Sequence, residues 1–146
     1  MENAMSDRPA AIAYLSGNGI SGTVTFYDSQ SGVFVIADIH GLPAEEHPYG
    51  VFGFHIHEGG ACTGVNFADT GGHLNLSDSP HPYHTGDLPP LFSNHGNALM
   101  AVRTGRFTID EVVGHTVVIH SHPDDFTTQP AGNSGEKISC GVIYRV

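Results

Sequence analysis

The sequence predicts an all-β protein built on one hydrophobic core. Apolar side chains recur at alternate positions in Gly22-Thr23-Val24-Thr25-Phe26-Tyr27 and in Val33-Phe34-Val35-Ile36-Ala37, the period of a strand with one face on a core. Nineteen Gly and nine Pro supply turns at a density that suits many short strands better than long helices. The length of 146 residues fits a single domain over the whole chain, with residues 1–10 expected as a flexible extension.

The first three strands are expected at residues 12–15, 20–27 and 32–39, separated by the turn clusters Gly17-Asn18-Gly19 and Asp28-Ser29-Gln30-Ser31-Gly32. Connections this short join antiparallel neighbours, so these strands read as a meander. Further strands are expected at 51–56, 96–103, 115–120 and 138–144, and the best helical candidate, 108–113, is one or two turns long. Two long irregular stretches remain, 58–91 and 121–137, both rich in His, Asp, Gly and Pro. Loops of that length in a compact domain are usually functional or disordered.

Five Lys and Arg stand against fifteen Asp and Glu, for a net charge of −10. Nucleic acid and anionic membrane surfaces, which need basic patches, are therefore not expected as partners. No apolar run approaches the roughly 18 residues that a spanning helix needs. The first 16 residues lack the basic start and long apolar segment of a secretory leader, which points to the cytoplasm, or to an extracytoplasmic site if a leader has been trimmed away. Cys62 and Cys140 lie 78 positions apart, too far for a CxxC redox pair or a compact zinc knuckle. One disulfide or two buried thiols both fit, and a disulfide would conflict with a reducing cytoplasm.

Eleven histidines make metal chemistry the leading question, since imidazole is the commonest protein ligand for transition metals. His55 and His57 are two apart on an expected strand, so both rings project from one face and can reach one ion. His73, His81, His84 and Asp87 place three imidazoles and a carboxylate within fifteen residues, a donor set that suits tetrahedral zinc. His120 closes the apolar run Val117-Val118-Ile119 and precedes a loop with Asp124 and Asp125. His40, His47, His95, His115 and His122 read as surface or supporting histidines, with His122 the rival to His120. Glu58 beside His57 could serve as a general base, but a zinc hydrolase would show H-E-x-x-H on a helix.

The ordered set Gly53-Phe54-His55-Ile56-His57-Glu58, Gly71-Gly72-His73, His84-Thr85-Gly86-Asp87-Leu88, His120 with Asp124, and Gly132-Asn133-x-Gly135 before Cys140-Gly141-Val142 resembles the copper/zinc superoxide dismutase family over about residues 22–143. The resemblance implies an eight-stranded Greek-key β-barrel, or immunoglobulin-like sandwich, with two long functional loops. It implies copper held by His55, His57, His73 and His120, zinc held by His73, His81, His84 and Asp87, and His73 bridging the two. Asp124 would hydrogen-bond His55 and His81 from behind, and Cys62 and Cys140 would form a disulfide. The implied activity is dismutation of superoxide by alternating reduction and reoxidation of copper, with His73 also moving a proton, and with no organic cofactor. The resemblance leaves monomer and homodimer both open.

Two departures stand out. The family's active-site arginine falls on Lys137, which keeps the charge but loses the planar donor fork, so Lys137 is expected to attract the anion without orienting it as well. His81 and His84 are only three positions apart, shorter than in many relatives. These departures support an alternative on the same scaffold, a copper- and zinc-binding protein for buffering or delivery with weak turnover.

Overall fold

The computed structural model describes residues 6–146. Its strands are β1 Ala11–Gly17, β2 Ile20–Ser29, β3 Gly32–His40, β4 Val51–Phe52, β5 Phe54–His57, β6 Leu91–Phe92, β7 Ala98–Thr104, β8 Thr116–His120 and β9 Lys137–Arg145. Seven of them form one curled antiparallel sheet in the order β5-β8-β9-β1-β2-β3-β7, and β4 pairs with β6. Only Gly53 separates β4 from β5, and its backbone keeps the ladder going: its N–H donates to His122 O at 2.9 Å and its carbonyl accepts from His120 N at 2.8 Å. Counting 51–57 as one kinked strand makes eight strands. The β4/β6 pair then links the two edges of the large sheet, because β4 runs into β5 and β6 runs into β7 through a turn closed by Asn94 N and Asn97 O at 2.7 Å.

The meander behaves as the pattern requires, with β2 and β3 in continuous register from Ser21↔His40 to Ser29↔Gly32. One face carries Ala11, Ala13, Leu15, Val24, Phe26, Val35, Ala37, Ile39, Phe54, Ile56, Val117, Ile119 and Ile143, all buried. Each large apolar side chain taken from water contributes on the order of 1.5–3 kcal/mol. The expected helix is a single turn, α1 Ile109–Val112. It is set by a capping box in which Thr108 accepts from Glu111 N and Glu111 accepts from the Thr108 backbone, with Ile109 and Val112 packed inward.

Strand β6 was not expected from sequence, since two residues show no period. Of the expected N-terminal extension, residues 1–5 lie outside the described residues. Ser6 and Ala10 donate to Asp28 O and Phe26 O at 3.0 and 2.7 Å, so residues 6–10 run along β2.

Candidate metal centre

Strands β5 and β8 pair with Phe54 opposite Ile119 and His55 opposite Val118. Phe54, Ile56, Val117 and Ile119 therefore enter the core, while His55, His57 and His120 share the other face. That face is covered by the long loops, which is why every residue of β5 and β8 is buried.

The first loop lies along β5 by backbone bonds. Glu58 N donates to Gly72 O, Leu74 N to Ile56 O and Ile56 N to Gly86 O, each at 2.8 Å. His73 thereby pairs with His57 and Asp87 with His55. The approach at residue 86 requires glycine, because a Cβ there would fall on the Ile56 carbonyl oxygen. Gly132 is confined in the same way against Asp124 and His81, at φ +72, where a side chain would also be strained.

Two four-residue groups of ligand-type side chains result, each with its donor atoms within 4.8 Å of one another: His55, His57, His73 and His120, and His73, His81, His84 and Asp87; a third cluster, His55, His81 and Asp124, joins them from behind. The sequence-derived sets come together in full. His122 stays outside, exposed, with Nδ1 2.8 Å from Ser121 Oγ. His115 Nδ1 bonds Glu58 O at 2.7 Å and His40 Nδ1 bonds Asn97 Oδ1 at 2.7 Å, while His47 and His95 flank Tyr49.

The hydrogen bonds assign the tautomers. His55 Nε2–H donates to Asp124 Oδ2 at 2.8 Å and His81 Nε2–H to Asp124 Oδ1 at 2.7 Å. His57 Nδ1–H donates to Gly71 O at 2.9 Å and His120 Nδ1–H to Gly135 O at 3.4 Å. Each ring therefore points a lone pair inward. His57 Nε2 and His120 Nε2 face each other at 3.0 Å, and His81 Nδ1 faces Asp87 Oδ2 at 3.0 Å without forming a hydrogen bond. Buried His55 Nδ1, His73 Nε2 and His81 Nδ1 have no hydrogen-bond partner. Acceptors converging on acceptors are costly unless a cation lies between them, so these residues fit two metal ions. His73 Nδ1 lies 2.8 Å from Asp87 Oδ1 and 3.2 Å from His84 Nδ1, which leaves its buried Nε2 for the first group.

Electrostatics agree. Burial lowers the pKa of His55 to about 4, of His57 to about 2 and of His120 to about 3, keeping the rings neutral as ligation requires. Burial tends to raise Asp124 and Asp87, but the hydrogen bonds from His55 and His81 to Asp124, and from His73 to Asp87, hold both below the usual carboxylate range.

These shifts set a pH dependence for the metal-free protein. Between their folded values and the ordinary 6.5, the buried imidazoles bind protons only after unfolding, so stability should fall as pH drops below about 6.5. The slope is about 1.4 kcal/mol per pH unit for each ring that stays neutral. The depressed carboxylates act in the same direction at lower pH, since their contribution is lost as pH falls through their folded values. The denaturation midpoint of chelator-treated protein should decline from pH 7 to pH 4.5, and a flat profile would contradict the assignment.

Two supporting residues, Arg106 and Gln129, carry no signal in the sequence. Arg106 Nη1 donates to Pro82 O, His84 O and Asp87 O at 2.7, 3.3 and 3.3 Å, pinning the second ligand group. Gln129 holds both sides of the His81 backbone, accepting from its N–H at 2.9 Å and donating to its carbonyl at 2.8 Å. Lys137 Nζ donates to Thr70 Oγ1 and Gly71 O, both at 2.8 Å. Burial lowers the Lys137 pKa and the Glu58 carboxylate opposes that shift. Cys62 and Cys140 form a disulfide with Cα atoms 5.7 Å apart.

The family model described as copper/zinc superoxide dismutase matches residues 20–143. The chain belongs to that family. Its relatives include a Cu-Zn superoxide dismutase of Legionella pneumophila, 32% identical over 96% of this chain and 89% of the relative. Superoxide dismutase [Cu-Zn] 2 of Aquifex aeolicus is 33% identical over 85% of this chain and 79% of the relative. Among solved structures, the clock protein EA4 superposes with a TM-score of 0.82 at 30% identity over all of both chains. A double mutant of a SOD-like protein from Bacillus subtilis gives 0.75 at 29%, over 89% of this chain and 94% of the other. Copper and zinc are the family's metals, and the two ligand groups are where this chain could hold them. The all-β sheet, with Val51–Phe52 and Phe54–His57 as one strand, agrees with the family's Greek-key barrel.

Proposed function

We propose that this chain is a superoxide dismutase, with His55, His57, His73 and His120 holding copper and His73, His81, His84 and Asp87 holding zinc. The observation that carries the reading is His73, whose Nδ1 joins the Asp87 group while its buried Nε2 has no hydrogen-bond partner. Copper bound there supplies the one-electron cycling that converts two superoxide anions and two protons to dioxygen and hydrogen peroxide, and zinc adds a redox-inert charge. His73 Nε2 is the inward nitrogen placed to hold a proton near the product. Asp124 orients His55 and His81 together through its two oxygens. Lys137 supplies positive charge beside His57 on a chain whose net charge of −10 repels anions, so its local field draws superoxide inward.

The disulfide supports an oxidising, extracytoplasmic compartment, because structural disulfides persist there and are rare in the cytosol. Among the described residues, no helix is long and apolar enough to cross a membrane.

Superoxide decay by pulse radiolysis on protein loaded with copper and zinc tests the reading. With metal content matched, Lys137→Ala should slow the second-order reaction by about tenfold at low salt and flatten its ionic-strength dependence. Lys137→Arg should equal or exceed the parent, since a planar cation both attracts and orients the anion. Full metal loading with no turnover would move the assignment to metal buffering.

A further inference from the structure

We infer that Thr70 is a positioning residue that turns the flexible Lys137 into a fixed cation at the copper group. This inference rests on the dismutase reading.

Thr70 sits at the end of the 3-10 segment Val65–Thr70 and is the one buried residue in it. Its hydroxyl hydrogen is committed, donated to Phe67 O at 2.8 Å. Only lone pairs therefore remain to face outward, and Lys137 Nζ meets them at 2.8 Å. The second ammonium hydrogen goes to Gly71 O, also at 2.8 Å. That carbonyl is the same acceptor that fixes His57 Nδ1 at 2.9 Å, so one peptide group sets both the cation and a copper-group imidazole. Among the described residues the third N–H has no acceptor, which leaves it for an incoming anion.

A lysine side chain has four rotatable bonds and a charge without preferred direction. Two acceptors on adjacent residues, Thr70 Oγ1 and Gly71 O, restrict it as one acceptor could not. The backbone cannot do this alone. With Gly71 O as the single acceptor, the ammonium could pivot about one bond toward solvent and toward the Glu58 carboxylate, whose Oε1 lies 3.4 Å from Gly72 N on the same turn.

The test separates placement from turnover. Lys137 is the only lysine in the chain, so selective 15N labelling gives one side-chain ammonium signal without assignment ambiguity. In metal-free protein, the parent and Thr70→Ser should show that signal protected from exchange, and Thr70→Val should lose it. Thr70→Ala serves the same purpose should the valine variant fold poorly. Persistence of the signal in both hydroxyl-free variants would overturn the inference whatever the activity.

In copper- and zinc-loaded protein, Thr70→Val should slow superoxide decay by about three- to tenfold, the scale of one hydrogen bond, and Thr70→Ser should restore it. In a Lys137→Met background, Thr70→Val should change nothing, because the group it positions is gone. An equal loss in both backgrounds would make Thr70 a structural residue and sink the positioning role. A fully loaded parent without turnover would overturn the dismutase reading instead, and the ammonium signal would still decide whether Thr70 places Lys137.

Discussion

His73→Ala should remove both metals from their normal sites at once, with copper and zinc affinity falling beyond the roughly 10- to 100-fold that loss of a supporting partner costs. The reason is arithmetic in the donor set: seven side chains make two groups of four only by sharing His73. His84→Ala provides the contrast. Its ring belongs to one group, so zinc should weaken while copper stays bound and its visible spectrum shifts little. Metal analysis after dialysis, with the copper spectrum of each variant, separates the cases. Normal stoichiometry and an unchanged copper spectrum in His73→Ala would refute the shared ligand.

Reducing the Cys62–Cys140 disulfide should destabilise the protein by on the order of 4 kcal/mol, the chain-entropy value for closing so long a loop. Its sequence separation is 78 residues. The bond also ties the start of the first long loop to β9, the strand that begins with Lys137. Its loss should therefore free residues 62–72, including the Thr70 and Gly71 acceptors, before the sheet itself melts. A lowered denaturation midpoint with reductant, matched by Cys140→Ser, is the expected result. Free-thiol titration of denatured, unreduced protein should find no thiol, and two titratable thiols after aerobic purification would count against the bond.

The ligand-type residues that the fold brings together were legible because their chemistry is written in residue type and short-range period. His55 and His57 share a face by strand alternation, and His120 ends an apolar run that only a buried strand needs. Asp124 and Lys137 came from the family resemblance, but the residues that hold the loops and the groups around Lys137 were not legible. Glu136, adjacent to Lys137 in sequence, is the natural carboxylate to weigh against it, yet Glu58 is the one whose charge bears on the ammonium, brought there from 79 positions away by the loop along β5. Arg106 looks like a surface arginine after β7 until its guanidinium reaches three carbonyls of another loop.

The all-β class, the meander and the place of the long loops follow from periodicity and composition along the chain, and the family resemblance added the two groups of ligand-type residues. The long-range geometry supplied the rest: the break at Gly53 that lets one strand serve two sheets, the tautomers of His55, His57, His81 and His120, and the partners of Lys137. Periodicity follows from backbone geometry within a few residues and can be read along the chain. A hydrogen bond between Thr70 and Lys137, or between Gln129 and the His81 backbone, depends on where distant segments come to lie, and that is set only when the whole sheet has closed and the loops have settled on its outer face.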